Sequence, residues 1–330
     1  MKRLCELFMM IVLMQHFSIA QDPHFSQYYA SPSTVNPAST GFFTGDARIA
    51  GLYRQQWPQY GDPFVTGTVS FEFKPGKFKD EEAIDRFAIG GMVMYDRTPD
   101  AVLKSQHGYL LIAYHKALDE EGYHRVGAGF MGGYNERRLD MSQLTFADQF
   151  GSGGFVYASG EPISNSKISA FDLHAGLLYI YEDEIKTFYA GGSIYHLTNP
   201  KNYFLGNNAV YETIPKRFNV NAGANIIVNE FRYAVSLLYM KQAGIDEMVV
   251  GGAIGISLPL KNSYLYAGSW YRVNESVIPT INLQWENLNV GFSYDAFMGS
   301  KTVTKPSSLE FSLSYRPTPY RDHKTGCFAF

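Results

Sequence analysis

The 330-residue chain has two cysteines, Cys5 and Cys327. Cys5 belongs to an N-terminal stretch with the marks of a secretory leader. Lys2 and Arg3 are followed by the apolar run Leu7–Met14 and by a small-x-small site at Ser18-Ile19-Ala20. Cleavage there predicts a signal peptide over 1–20 and a mature start at Gln21, leaving Cys327 alone and excluding an intramolecular disulfide. Beyond the leader no apolar run approaches the ~18 residues that a membrane helix requires, so a helical membrane protein is excluded. Excess charge is also lacking: 28 Lys and Arg stand against 31 Asp and Glu, a net of −3. That balance argues against a nucleic-acid binder. G-x-S-x-G, Walker A, H-E-x-x-H and CxxC motifs are all missing, which removes the commonest enzyme and cofactor signatures. Ser105-Gln106-His107 is a thin basis for a hydrolase. His107, His115 and His124 lack the clustering of metal ligands, so no cofactor and no metal are predicted. After residue 46 no composition break suggests a second domain.

What the chain has in quantity is 24 Tyr, 24 Phe and 31 Gly at a mean hydropathy of only −0.17. Alternation reconciles these numbers. Val65, Gly67, Val69, Phe71 and Phe73 interleave with Thr66, Thr68, Ser70, Glu72 and Lys74. Near the end, Leu309, Phe311, Leu313 and Tyr315 interleave with Glu310, Ser312, Ser314 and Arg316. Period two puts each set on its own face of a strand. The pattern predicts strands over 46–55, 63–74, 85–95, 106–117, 123–134, 168–181, 185–196, 216–229, 231–241, 247–258, 263–272, 277–286, 288–296 and 307–316, each long enough to cross a bilayer when tilted. Their connections are mostly tight at one end (Asn229-Glu230, Glu286-Asn287), whereas Asn135–Lys167 and Leu197–Pro215 at the other are long. Tight turns on the periplasmic side and long loops outside are the pattern of an outer-membrane barrel. An open sheet edge cannot lie in hydrocarbon, so the last strand should close on the first.

The predicted fold is therefore an all-β transmembrane antiparallel β-barrel of about 14 strands over 46–316. An irregular, proline-rich segment over 21–45 precedes it, lying in the periplasm or packing into the lumen. A short periplasmic C-terminal tail covers 317–330. An even strand count puts both termini on the periplasmic side. Arg48, Arg54, Glu72, Asp172, Arg232, Asp295 and Glu310 fall on the polar face, which suggests a wet lumen braced by charge pairs, with Glu310 near Arg48 or Arg54. Barrels of this size are too wide for wall side chains to fill, so the lumen needs a plug, and 21–45 is the candidate. In the long loop, Phe146, Phe150, Phe155 and Tyr157 lie away from any predicted strand and suit loop packing or partner contact. Gly151–Gly154 reads as a hinge there. Tyr134 and Tyr181 suit the interfacial aromatic girdle.

Several short motifs, in order, resemble the PorP/SprF family of type IX secretion system membrane proteins. They are Gln21-Asp22-Pro23-His24-Phe25-Ser26-Gln27-Tyr28 with Asn36-Pro37-Ala38, and Tyr53-Arg54-Gln55-Gln56-Trp57-Pro58. Later come Gly192–Pro200, including Asn199 and Pro200, then Trp270-Tyr271-Arg272 and Ser293-Tyr294-Asp295 with Glu310. The resemblance spans the mature chain and departs from the usual pattern at Leu309 and Phe328. It implies an outer-membrane barrel that docks a secreted adhesin or other type IX substrate, through that substrate's C-terminal sorting domain, and that serves secretion and gliding motility. It also implies contact with PorE and the PorK/PorN periplasmic ring. A small-solute porin is the alternative that the strand pattern alone allows.

Overall fold

Fourteen alternating segments close into one antiparallel barrel in this computed structural model, with strand order β1-β16-β15-β14-β13-β12-β11-β10-β9-β8-β5-β4-β3-β2. Residues 22–75, 85–140, 142, 144–160, 167–201, 213–299 and 306–317 are described. The leader, Cys327, most of the tail, and the loop residues Tyr203, Phe204 and Tyr211 lie outside them. The barrel strands are β1 (Ala47–Gln56), β2 (Phe64–Phe73), β3 (Arg86–Arg97), β4 (Leu103–Ala117) and β5 (His124–Leu139). They continue as β8 (Lys167–Glu182), β9 (Lys186–Tyr195), β10 (Arg217–Val228), β11 (Phe231–Gln242), β12 (Ile245–Ser257) and β13 (Ser263–Arg272). Last come β14 (Ser276–Trp285), β15 (Leu288–Phe297) and β16 (Ser307–Tyr315). β6 (Phe150–Gly151) and β7 (Gly154–Phe155) form a separate small hairpin in the long loop.

The closing seam pairs Ile49 with Tyr315, Tyr53 with Phe311 and Arg54 with Glu310. At the tight end, Asn229, Asn262 and Glu286 adopt positive φ (55°, 47° and 50°), as short hairpin turns demand. The outward face is apolar across its middle band: Leu110 is 76% exposed, Val93 60% and Phe311 47%. A soluble monomer does not present so continuous an apolar surface, but a bilayer solvates it.

Two boundaries differ from the sequence reading. β4 starts at Leu103 and β5 runs to Leu139, so the long loop begins at Asp140. The ladder Leu103↔Leu139 to His107↔Asn135 persists where the side chains turn polar, because pairing depends on the backbone and the apolar pattern stops at the membrane edge. Gly151–Gly154 is the turn of the β6–β7 hairpin, not a hinge. Phe150 and Phe155 meet edge-to-face across it at 5.3 Å, and Gly154 takes φ +98°.

Residues 22–45 fill the lumen. Asp22 sits at the long-loop end beside Gln242, and the segment descends to Phe43, beside Arg48 and Lys74 at the tight-turn end. The charge partners of Asp22 thus lie at the end of the barrel opposite to the start of β1. Three 3-10 turns (Tyr28–Ala30, Pro32–Thr34, Pro37–Ser39) carry the descent. Pro32 and Pro37 open two of them, where proline's fixed φ fits and its missing N–H costs nothing.

The interior is not the wet lumen the polar face suggested. Phe25, Tyr28, Tyr29 and Val35 pack with Leu238, Trp270 and Ile278 into an apolar core. The Tyr29 and Trp270 rings lie 4.6 Å apart. A barrel of this width leaves space that wall side chains cannot reach, and the segment supplies the missing volume. A cavity of about 40 Å³ remains among Tyr28, Tyr29, Phe42, Tyr189 and Asn225.

Candidate functional site

Polar groups of the lumen wall converge on the plug at three levels, charged at the two ends and neutral between. Nearest the loops, β16 presents Glu310 and β15 presents Asp295. Glu310 accepts the backbone N–H groups of Ser26 and Gln27 at 2.7 and 2.8 Å, a cradle for an otherwise unpaired stretch of chain. Arg54 on β1 approaches Glu310 at 3.4 Å and Asp295 at 3.5 Å. Arg272 on β13 joins Asp295 at 3.0 Å and Glu247 at 3.1 Å, and donates to Ser26 Oγ at 2.7 Å. Ser26 Oγ in turn donates to Asp295 at 2.6 Å. All these wall side chains are buried or nearly so, so their charges are compensated by one another and by plug dipoles.

At mid-height Asn36 carries the contact. Its amide donates to Leu177 O at 3.0 Å and to Asn221 Oδ1 at 3.2 Å, while its own oxygen accepts Ala38 N. Gly176 makes room for it: a Cβ there would stand 2.0 Å from Asn36 Oδ1. Pro37, next in sequence, lies over Gly129, where a Cβ would come within 2.5 Å of the Pro37–Ala38 backbone. At the tight-turn end, Glu72 pairs with Arg48 at 2.6 Å and accepts Gly41 N at 2.8 Å.

A fourth contact joins residues remote in sequence. His196, just past β9, places Nδ1 2.5 Å from Asp172 Oδ2 on the wall and Nε2 2.6 Å from Asp22 Oδ2 on the plug. Arg217 adds a second cation to Asp22 at 3.2 Å. Burial opposes the charge on His196, but the hydrogen bonds and charges of Asp172 and Asp22 outweigh it and push the imidazolium up to about 9. Burial likewise opposes the Asp22 anion, but His196 and Arg217 hold its carboxyl well below the usual carboxylate range.

Asp172, His174 and His196 also lie close enough to suggest a cation site. Their protons argue otherwise. His196 spends both nitrogens as donors to carboxylates. His174 Nδ1 accepts the His196 N–H at 3.0 Å, which leaves its proton on Nε2. Neither ring offers a free lone pair to a metal.

The remaining sequence candidates take other places. Arg232 lies over the Tyr264 ring at 3.5 Å, facing the lumen. Phe25 is in the plug core. Gln56 ends β1, and Trp57 sits on the rim with φ 61°, edge-on to Phe64 at 5.2 Å. Asn199 and Pro200 form the turn after His196: Asn199 donates its N–H to His196 O, and Pro200 O accepts Ile214 N. Phe150 (65%), Phe155 (55%) and Tyr157 (60%) are exposed on the β6–β7 hairpin, with Phe146 half-buried beside it. His107 bonds Asn135, His115 bonds Ala38 O and His124 bonds Tyr179, three separate places.

Sequence reading missed Asp22, Ser26, His174, His196, Arg217 and Arg272 as plug or latch residues. One signal was available: Asp172 and His174, two apart, share a face of their strand. The partners across the lumen carried none.

A comparison with curated protein sequences finds no match. Among solved structures, the chain is similar to a TodX deltaS2S3 mutant monoaromatic hydrocarbon channel. The TM-score is 0.52 at 11% identity, over 87% of this chain and 93% of that one. It is similar also to a Pseudomonas aeruginosa FadL homologue (TM-score 0.51, 10% identity, 87% and 94% covered). At such identities the likeness is one of fold, and it places the chain among outer-membrane barrels. The family model described as "Type IX secretion system membrane protein PorP/SprF" matches residues 17–315, and the chain belongs to that family.

Proposed function

We propose that this barrel is a non-enzymatic accessory of type IX secretion that docks a secreted or cell-surface protein, adhesin-like, by its C-terminal sorting domain. The observation that carries the reading is the β6–β7 hairpin. Phe150, Phe155 and Tyr157 are 55–65% exposed on the loop between β5 and β8, outside the barrel's strand ladder. Aromatic side chains clustered on an exposed, ordered loop are what protein interfaces use as anchors. The filled lumen supports the same reading, since it turns the working surface outward. The tight-turn end faces the periplasm and is the surface for PorE and the PorK/PorN ring.

The test is to isolate the tagged chain from native outer membranes in mild detergent and identify what co-purifies. Recovery of a large secreted protein with a C-terminal sorting domain supports docking. Its loss in an F150S/F155S/Y157S variant that still assembles assigns the hairpin as the contact. Recovery of the barrel alone, with high conductance in planar bilayers, replaces docking by a solute channel.

A further inference from the structure

Outside the lumen, the lipid-facing wall is interrupted by a groove of about 800 Å³ running from β16 across β1–β4 to β5. Its floor is Gly51, Gly67 and Gly108, and its sides include Tyr53, Val93 and Phe311. The floor is open: a Cβ on Gly51 or Gly67 would meet nothing nearer than 3.5 Å, and one on Gly108 nothing within 4 Å. The upper rim is the outward-facing row Tyr95, Gln106 and Glu136, paired across β3, β4 and β5.

One pleat higher, the next outward-facing row is Arg97, Lys104, Arg138 and Lys167. The register places Arg97 opposite Lys104, Lys104 opposite Arg138, and Arg138 opposite Lys167. Like charges directly opposite one another destabilise a sheet. Four cations in line across roughly 14 Å of adjacent strands therefore need anions. The protein supplies two. Asp62 takes Arg97 at 2.5 Å, and Glu136 takes both Arg138 and Lys167 at 2.5 Å. Lys104 has no direct ion pair among the described residues, and its charge reaches Asp140 only through space. Among the described residues the row sets four cations against two directly paired carboxylates, with Asp140 a further anion at longer range. It sits at the long-loop end, just above the aromatic belt of Tyr53, Tyr95 and Tyr134, the height of the outer-leaflet headgroups.

We infer that this groove and row form a single site for a phosphorylated glycolipid of the outer leaflet, with one acyl chain lying over the glycine floor and the headgroup phosphate on Lys104 and Arg138. Charge complementarity selects this occupant over a neutral lipid or a protein segment. The groove takes hydrocarbon, and an anionic headgroup answers Lys104 and the row's excess of positive charge directly above it. Arg97, Arg138 and Lys167 each already hold a carboxylate, so Lys104 is the first contact and Arg138, shared with Glu136, the second.

The test uses the full chain, purified from outer membranes, stripped by detergent exchange and titrated by native mass spectrometry. The probes are lipid A carrying a phosphate, its enzymatically dephosphorylated form, and inorganic phosphate alone. One phosphorylated lipid A is expected to bind, roughly 10- to 30-fold more tightly than the dephosphorylated form, as two basic contacts at about 1 kcal/mol each imply. K104Q/R138Q should lose that difference. G108L, which fills the groove where the backbone leaves room, should weaken both lipids alike. Folding of each variant is checked by its fast, heat-modifiable gel band. Equal binding of the two lipids, wild-type affinity in K104Q/R138Q, unchanged binding in G108L, or displacement by inorganic phosphate at the lipid's own concentration would each overturn the assignment.

Discussion

Glu310 shows why a charge in this lumen cannot be changed alone. It holds two plug N–H groups and faces Arg54, all out of water. Glu310→Ala leaves a buried guanidinium short of one anion and two amides without acceptors, a loss of roughly 3–5 kcal/mol for a broken buried pair. A lowered melting temperature of the heat-modifiable band checks it, and a melting point equal to wild type refutes it. The His196 latch carries a different, pH-dependent prediction. A histidine raised from 6.5 to about 9 contributes fully below the lower value and fades as pH rises through the upper. An aspartate held below 3.8 contributes above that value and fades as pH falls further. The upper end of the plug should therefore be tightest from about pH 4 to 6.5 and loosen as pH rises from 6.5 through about 9. Protection of residues 22–30 against hydrogen exchange, corrected for the intrinsic base-catalysed rate, should fall as pH rises from 6.5 through about 9, and His196→Gln should remove that pH dependence.

Among the elements, the strands and the plug differ in how openly the sequence announces them. Strands were legible because burial on one face and lipid on the other force period two. β11, with Phe231, Tyr233 and Val235 outward and Arg232, Ala234 and Ser236 inward, repeats that rule. Closure of β16 on β1, and so the meeting of Glu310 with Arg54, followed from the need to hide an edge. The plug obeys no period. Its turns are set by Pro32 and Pro37 and by wall glycines such as Gly129 and Gly176, each more than ninety residues away, so its descent and its latch to His196 were not readable. Because it is joined to the wall by side chains and not by strand ladders, it is removable in principle. Deleting 23–41 should leave the barrel assembled and raise single-channel conductance well above the intact chain. Conductance that stays at the closed level would mean that something other than this segment blocks the lumen.

At the scale of the whole molecule, the direction of the plug has the largest consequence. β1 begins at the tight-turn end with Ala47, yet Asp22 lies at the long-loop end among Gln242, Arg217 and His196. Twenty-odd residues thus traverse the lumen from the long-loop end to the tight-turn end before the first strand turns back. β16 ends at Tyr315, paired with Ile49 near the start of β1, which puts the chain's exit at the periplasmic end. Asp22 and Tyr315 therefore lie at opposite ends of the barrel although the strand number is even. A short epitope inserted between Gln21 and Asp22 should be labelled by antibody on intact cells. The same epitope placed after Phe330 should be labelled only after the outer membrane is opened. Labelling of neither on intact cells would mean that the mature N-terminus stays inside and that the ion pairs of Asp22 do not hold it at the surface.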